Sequence, residues 1–312
     1  MSSSPSGLVT VVVMTRDRWS DLQRSLPHHE APVVLVDNGS SDGTPQLVRG
    51  RFPHVDVVAL GTNHGARARN VGVERAATPF VAFADDDSWW APGALAVASR
   101  LLEAHPRLAV LAGRVLVGED EEPDPGWEAM AHSPLGTAAD LPGPSVLGFL
   151  ACAAVVRRSA FLEAGGFDDV VFFMGEEERL ALDLAARDWG LAFVDHVVAH
   201  HHPSPVRDPA ARQALVERNR LLTMVMRRPW PVVLDRAARQ VRSGPAGRRA
   251  LAQALPRLPR ALAARRRLPA DVERARRLLD RADILRSGGP AGPPTPRPRP
   301  GSSRPRPRPG PP

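Results

Sequence analysis

Short apolar runs alternate with amphipathic stretches through the first third of the chain, and that alternation predicts β-α-β units around a mostly parallel sheet. Residues 8–14, 33–37, 55–60, 80–84 and 109–117 read as strands, each rich in Val, Leu, Ala or Phe and bounded by polar or turn residues. Ser20 with Gln23 spells a capping box that opens a first helix, and Thr44 followed by Pro45 supplies a cap and a first-turn proline for a second. Residues 65–76 and 92–105 supply two more helices. Residues 118–145, rich in Glu, Asp, Pro and Gly, read as a long loop, either a lid or binding segment or a disordered stretch. A strand at 151–157 leads through Gly165-Gly166 to a helix near 176–189, short strands at 191–194 and 197–200, and a helix over 210–227.

Composition changes this picture mainly at the C-terminus. All 41 basic residues are Arg, and the chain of 312 residues has no Tyr and one cysteine, Cys152. Residues 1–227 hold 20 Arg against 29 acids, residues 228–288 hold 16 against 5, and residues 289–312 hold 5 against none. The expected organisation is an α/β body over 1–227, a basic Arg/Ala-rich helical extension over 228–288 broken by Pro256, Pro259 and Pro269, and a disordered Pro/Arg tail over 289–312. The basic extension suggests an anionic partner such as a membrane surface, or simply a solvated charged face. With no disulfide framework, no signal-peptide pattern and no apolar run of spanning length, the expected location is the cytoplasm, with peripheral attachment to the inner face of the membrane as a further possibility.

Candidate chemistry gathers where the strands end, the usual ligand crevice of an open α/β sheet. The first strand runs into Thr15-Arg16-Asp17, the second into Asp37-Asn38-Gly39, and the fourth into Asp85-Asp86-Asp87. Consecutive acids need a counter-charge, and oxygen ligands of this kind suit Mg²⁺ or Mn²⁺. In an extended segment Asp85 and Asp87 point one way and Asp86 the other. Arg67 and Asn70, three apart near a helix start, suit a phosphate or nucleotide. Glu177, at the head of an apolar helical stripe beside Glu176, is a candidate general base. His200 and His202 share one side of the last strand and are candidate metal ligands. Trp89 and Trp90 either stack on sugar rings or pack in the core.

The segments Val33-Val34-Leu35-Val36-Asp37-Asn38-Gly39-Ser40-Ser41-Asp42-Gly43-Thr44, Asn63-His64-Gly65, Ala68-Arg69-Asn70-Val71-Gly72 and Phe83-Ala84-Asp85-Asp86-Asp87 together resemble the family 2 glycosyltransferases. Gly165-Gly166-Phe167-Asp168, Gly175-Glu176-Glu177 and the His cluster extend the resemblance more loosely. It implies a GT-A fold, with a Rossmann-like sheet flanked by helices, and an inverting transfer from a nucleotide-sugar donor to a glycan or lipid-linked hydroxyl. It assigns the donor to Thr15, Arg16, Asp37, Asn38, Arg67, Asn70, Asp85 and Asp86. Divalent Mn²⁺ or Mg²⁺ falls to Asp85, Asp87 and His200, with His202 as rival, and the base to Glu177, aligned with Glu176 as a Glu-Glu pair where the family usually has Glu-Asp. Two other readings are a sugar-1-phosphate nucleotidyltransferase and a polyanion-binding protein led by the basic C-terminal third. The first lacks a Gly-rich phosphate loop at Thr15-Arg16-Asp17-Arg18, and the second lacks interleaved aromatics, so no nucleic-acid partner is expected.

Overall fold

A computed structural model of the protein describes residues 5–203 and 209–288. The strands are β1 (Val9–Thr15), β2 (Val33–Asp37), β3 (Asp56–Ala59), β4 (Phe80–Asp85), β5 (Ser88–Trp90), β6 (Leu108–Val117), β7 (Glu122–Pro123), β8 (Ala154–Arg157) and β9 (Gly190–His201). They form one sheet in the order β3-β2-β1-β4-β8-β6-β9-β5, with β7 on β6. β3, β2, β1 and β4 are mutually parallel, β8 runs antiparallel between β4 and β6, and β5 pairs antiparallel with β9 at the edge. The helices of the body are α1 (Trp19–Ser25), α2 (Thr44–Arg51), α3 (Ala68–Arg75), α4 (Ala94–Ala104), α5 (Trp127–Ala131), α6 (Arg158–Glu163) and α7 (Glu176–Ala185). The fold is mixed α/β with helices on both sides of the sheet, as the apolar pattern predicts.

Alternation along the strands sorts the side chains into two apolar layers. Val9, Val11, Val13, Val33, Leu35, Ala82 and Ala84 pack on Leu22, Val48, Leu95, Ala98 and Leu102 from α1, α2 and α4. Val12, Val34, Val36, Val81 and Phe83 pack on Ala68, Val73, Phe161, Leu180 and Leu184 from α3, α6 and α7. α3 lies close to the sheet because residue 72 is glycine: a Cβ there would stand 2.3 Å from Val12 Cγ1.

Several local expectations are corrected. Ser20 lies inside α1 and caps nothing, since the N-cap position is Arg18. Thr44 is the first residue of α2, and its hydroxyl donates to Asp42 while Gly43, at φ +83°, is the cap. The two short strands at 191–194 and 197–200 are one strand, β9, with a register shift where Gly113 pairs Val194 and Arg114 pairs Val198. β5, formed by Ser88-Trp89-Trp90, is an edge strand the apolar pattern does not reveal. Its Trp90 is buried and donates to the Phe83 carbonyl, while Trp89 stacks on His28 at 4.6 Å and packs against His202 at 4.7 Å. Residues 118–145 carry β7 and α5 within an otherwise irregular segment.

The remaining helices are α8 (Pro209–Arg227), α9 (Trp230–Arg242), α10 (Pro245–Ala254), α11 (Leu258–Ala263) and α12 (Ala270–Gly288). Pro256, Pro259 and Pro269 fall at the breaks between α10, α11 and α12, where a missing amide costs least. Leu221, Leu222, Val225, Val233, Ala254 and Ala261 share a core with Val170 and Val171 of the body. Several of the arginines are turned inward: Arg227 pairs with Asp183 of α7, and Arg228 pairs with Glu273 at 3.0 Å and Asp280 at 2.5 Å. The expected disordered tail, 289–312, lies outside the described residues.

Candidate active site

β4 ends at Asp85, and a tight turn carries the chain through Asp86 and Asp87 into β5, with the Ser88 hydroxyl accepting from the Asp85 amide at 2.8 Å. The turn keeps the division expected of an extended segment. Asp85 and Asp87 offer carboxylate oxygens that lie, with a ring nitrogen of His201, within 4.8 Å of one another. Asp86 turns the other way and accepts from the Thr15 hydroxyl at 3.1 Å. Burial, reinforced by Asp87 and Asp85, pushes the Asp86 pKa up to about 8. Such a concentration of acid calls for added positive charge. Two carboxylates and an imidazole form an O,O,N donor set that a divalent cation fits.

Part of that charge comes from Arg69. Its guanidinium is buried and bridges Asp85 at 2.5 Å and Glu176 at 3.3 Å, tying β4 to the first turn of α7. Burial alone would depress the Arg69 pKa, but Asp85, Glu176 and Glu177 overcome it and raise it. Removing one partner of a buried pair leaves uncompensated charge. Arg69→Met is therefore expected to cost about 3 kcal/mol in urea denaturation at neutral pH. Burial and Glu177 push the Glu176 pKa up to about 8 even with Arg69 in place, so the deficit should grow as pH rises through about 8, where Glu176 ionises beside Arg69 but stays protonated without it. A pH-independent loss under 1 kcal/mol would show that the bridge contributes little.

α7 opens with Glu176-Glu177-Glu178 behind Gly175, where its first turn favours negative charge. Glu176 is buried and Glu177 half-buried. Burial raises the pKa of both, and repulsion from Glu177 adds to the shift at Glu176. A carboxylate raised in this way holds a proton better once it has taken one, which is what a general base needs. The helix is anchored from behind by buried ion pairs, Arg179 with Asp168 at 2.7 Å and with Asp183 at 2.6 Å. The loop before it contains Phe172 and Met174 at positive φ, 72° and 74°. Fully buried Asn219 of α8 donates to the carbonyls of Phe173 at 2.5 Å and Met174 at 2.7 Å, so the C-terminal helices fix the backbone that aims Glu177.

At the other side of the crevice, Asp37 is buried at the end of β2, and its Oδ1 has no hydrogen-bond partner in the structure. A buried carboxylate oxygen left this way is poised for a donor supplied by a ligand. Asn38 has a different job: its side chain accepts from the His64 amide at 2.7 Å and donates to the Gly65 carbonyl at 3.1 Å, fixing the turn before α3. That turn meets the α7 loop so closely that a Cβ on Gly65 would stand 2.3 Å from the Phe172 carbonyl oxygen. Arg16 is exposed beside Asp17. Arg67 is exposed as well and lines a cavity of about 500 Å³ with His64, Phe172, Arg257 and Arg260. Asn70, expected against the donor nucleotide, engages the Phe167 backbone, donating to its carbonyl at 2.9 Å and accepting from its amide at 3.0 Å.

The chain and its fold have counterparts among known proteins. A model of the family described as Glycosyl transferase family 2 matches residues 10–165, half of the chain. The chain belongs to glycosyl transferase family 2. It is 29% identical over 248 residues to an N-acetylglucosaminyl-diphospho-decaprenol L-rhamnosyltransferase of Mycobacterium tuberculosis, covering 66% of this chain and 80% of that one. A pre-mycofactocin glycosyltransferase of the same organism is 33% identical over 66% of this chain, which spans only 45% of that relative. Among solved structures, the mannosyltransferase PcManGT of Pyrobaculum calidifontis in complex with GDP-Man and Mn²⁺ matches with a TM-score of 0.53 at 22% identity, over 89% of this chain and 80% of that one. S. aureus TarS 1-349 in complex with UDP-GlcNAc matches with a TM-score of 0.55 at 17% identity, over 90% and 92%. The fold of this glycosyltransferase is thus the GT-A fold.

Two residues of this family 2 site escape the sequence reading. Arg69 is one, although it lies with Gly72, Val73 and Ala76 on the buried side of α3, and a lone charge in an apolar stripe signals a buried partner. His201 is the other. The structure brings His201 to Asp87, Nε2 to Oδ1 at 3.2 Å, whereas His200 pairs with Glu121 at 3.0 Å. The structure thus sets His201, rather than the expected His200, beside Asp87. β5 decides it, because its pairing sets His201 opposite Ser88, next to Asp87, and His200 opposite Trp89.

Proposed function

We propose that this glycosyltransferase moves a sugar, with inversion, from a nucleoside-diphosphate donor to a hydroxyl acceptor. The observation that carries the reading is the meeting of Asp85, Asp87 and His201 beside the Arg69-linked Glu176-Glu177 pair. Glu177 takes the proton of the acceptor hydroxyl as its oxygen bonds to the anomeric carbon and the bond from that carbon to the nucleoside diphosphate breaks. Asp85, Asp87 and His201 would hold a divalent cation, whose charge stabilises the departing diphosphate. The imidazole tilts the choice towards Mn²⁺ over Mg²⁺, and PcManGT was solved with Mn²⁺. Asp37 receives a donor group of the nucleoside through its free oxygen, with Thr15 and Arg16 beside it, Asp86 oriented by Thr15, and Asn38 shaping the turn below.

A lipid-linked diphosphosaccharide is the acceptor class favoured by the relative acting on a decaprenol-linked substrate. The catalytic unit spans 1–227, with 228–288 as a packed helical extension. No helix among the described residues is long and apolar enough to cross a membrane, so a lipid-linked acceptor would be met at the bilayer surface.

The reading is tested by thermal shift with a panel of UDP-, dTDP- and GDP-sugars. One donor at saturation is expected to raise Tm by roughly 5 °C in the presence of Mn²⁺. Chelation should remove the shift. No response to any donor, or an equal response in chelator, would overturn the metal-dependent donor site.

A further inference from the structure

Helix α9 is apolar on two faces, one packed in the core through Val233, with Val232 and Ala237 against it, and one turned to solvent. Its polar side chains Arg236 and Gln240 face the protein, where both engage Glu217 of α8, and Gln240 is only 3% exposed. Three of its large apolar side chains face solvent: Trp230 is 46% exposed, Leu234 65% and Val241 49%. With the exposed Ala238 they lie at i, i+4, i+8 and i+11 spacing, and together with the exposed Pro231 at i+1 they fall within one ~100°-wide sector of the helix. An ordinary surface helix is polar on its outer face, and an exposed apolar stripe there marks a surface that meets something apolar.

The charge around the stripe identifies its occupant. From Trp230 to Ala254 the chain has five arginines, at 236, 239, 242, 248 and 249, and one acid, Asp235, which is paired with Arg239 at 2.5 Å. Arg239, Arg242, Arg248 and Arg249 are exposed. A second copy of the chain meeting this face by two-fold symmetry would set arginines against arginines. An anionic lipid surface supplies what both features need, acyl chains for the stripe and negative headgroups for its basic flank. We infer that the outer face of α9 inserts shallowly into an anionic bilayer, lying in its plane without crossing it. The interfacial side chains are Trp230, Leu234 and Val241, with Arg242 and Arg249 against the headgroups. This surface is separate from the sugar-transfer site, and its test needs no sugar transfer.

The test is co-sedimentation of the full chain with vesicles of phosphatidylglycerol and phosphatidylcholine, alongside vesicles of phosphatidylcholine alone. Binding is expected on the anionic vesicles, and Leu234→Glu should weaken it at least about 10-fold, because it removes a leucine that the bilayer would bury and adds a charge of the lipid's own sign. Arg242→Gln with Arg249→Gln should weaken it by about 5-fold per charge removed, and added salt should do the same. An unchanged circular dichroism spectrum and Tm for Leu234→Glu would confirm that the loss is local. Failure of the wild-type chain to bind, or equal binding by Leu234→Glu, would overturn the inference. So would a concentration-dependent dimer dispersed by Leu234→Glu without any vesicle binding, which would assign the stripe to a second copy.

Discussion

Glu177→Gln is expected to lower sugar transfer by about 10³-fold while leaving Mn²⁺-dependent donor binding within about 2-fold of wild type. The substitution keeps the shape and removes only the ability to accept a proton. It should therefore appear in kcat and hardly in the Kd for the donor. Because burial raises the Glu177 pKa, the pH profile of the wild type carries a second signature. A base must be deprotonated to work, so activity should fall as pH drops through a pKa above the usual carboxylate value of about 4.3. Steady-state kinetics across pH, with donor binding measured in parallel, checks both. A Glu177→Gln enzyme with wild-type kcat would remove Glu177 from the chemistry and turn attention to Glu176.

Asp87→Ala is expected to abolish the Mn²⁺-dependent thermal shift and to reduce transfer by more than about 10³-fold, since charge stabilisation of the departing diphosphate is worth several kcal/mol. Asp87 is 5% exposed and meets His201 at 3.2 Å, so the loss strips the donor set of its most buried oxygen ligand. Paired histidine variants give the assignment its sharpest reading. His201→Ala should weaken Mn²⁺ at least about 10-fold, whereas His200→Ala, which loses its pairing with Glu121 and its stacking on Trp89, should bind Mn²⁺ as wild type does. Manganese titration followed by the donor-induced shift distinguishes them. The reverse order would restore His200 as ligand and require a different pairing of β5 with β9.

Much of the fold is legible in the sequence because period and burial agree. β1, β2 and β4 are buried on both faces, so their apolar runs are nearly unbroken and their ends fall within a residue of expectation. Asp85 and Asp87 are legible for a related reason, as they stand where a strand surfaces and a polar residue has no place in the core. Elements stabilised by distant partners are less visible. β5 is three residues long and exists because β9 lies beside it, and without β5 the side of the sheet that His201 faces cannot be chosen. Reading 191–194 and 197–200 as separate strands has the same origin, because the register shift between Gly113 and Arg114 breaks a period-2 pattern without breaking the strand. Asn70 illustrates a further limit. Its spacing from Arg67 is helical, but the turn at Gly65–Arg67 is a 3₁₀ helix, and Asn70 meets the Phe167 backbone while Arg67 stays in solvent. The charge of the C-terminal third also misleads if counted alone, because Arg228, Arg236 and Arg276 spend theirs on internal carboxylates.

The grip of Asn219 on the Phe173 and Met174 carbonyls bears on how this enzyme can be recombined with others. A chimera joined after β9, with α8 to α12 from another source, would keep every acid of the donor site yet lose the amide that holds the loop ahead of α7. Residues 168–175 and α8 must therefore travel together as one exchange unit. Arg257, between α10 and α11, grips the same loop, donating to the carbonyls of Asp169 at 2.9 Å and Val170 at 2.8 Å. Grafts that respect this seam should retain turnover, while grafts that cut it should bind donor and transfer slowly.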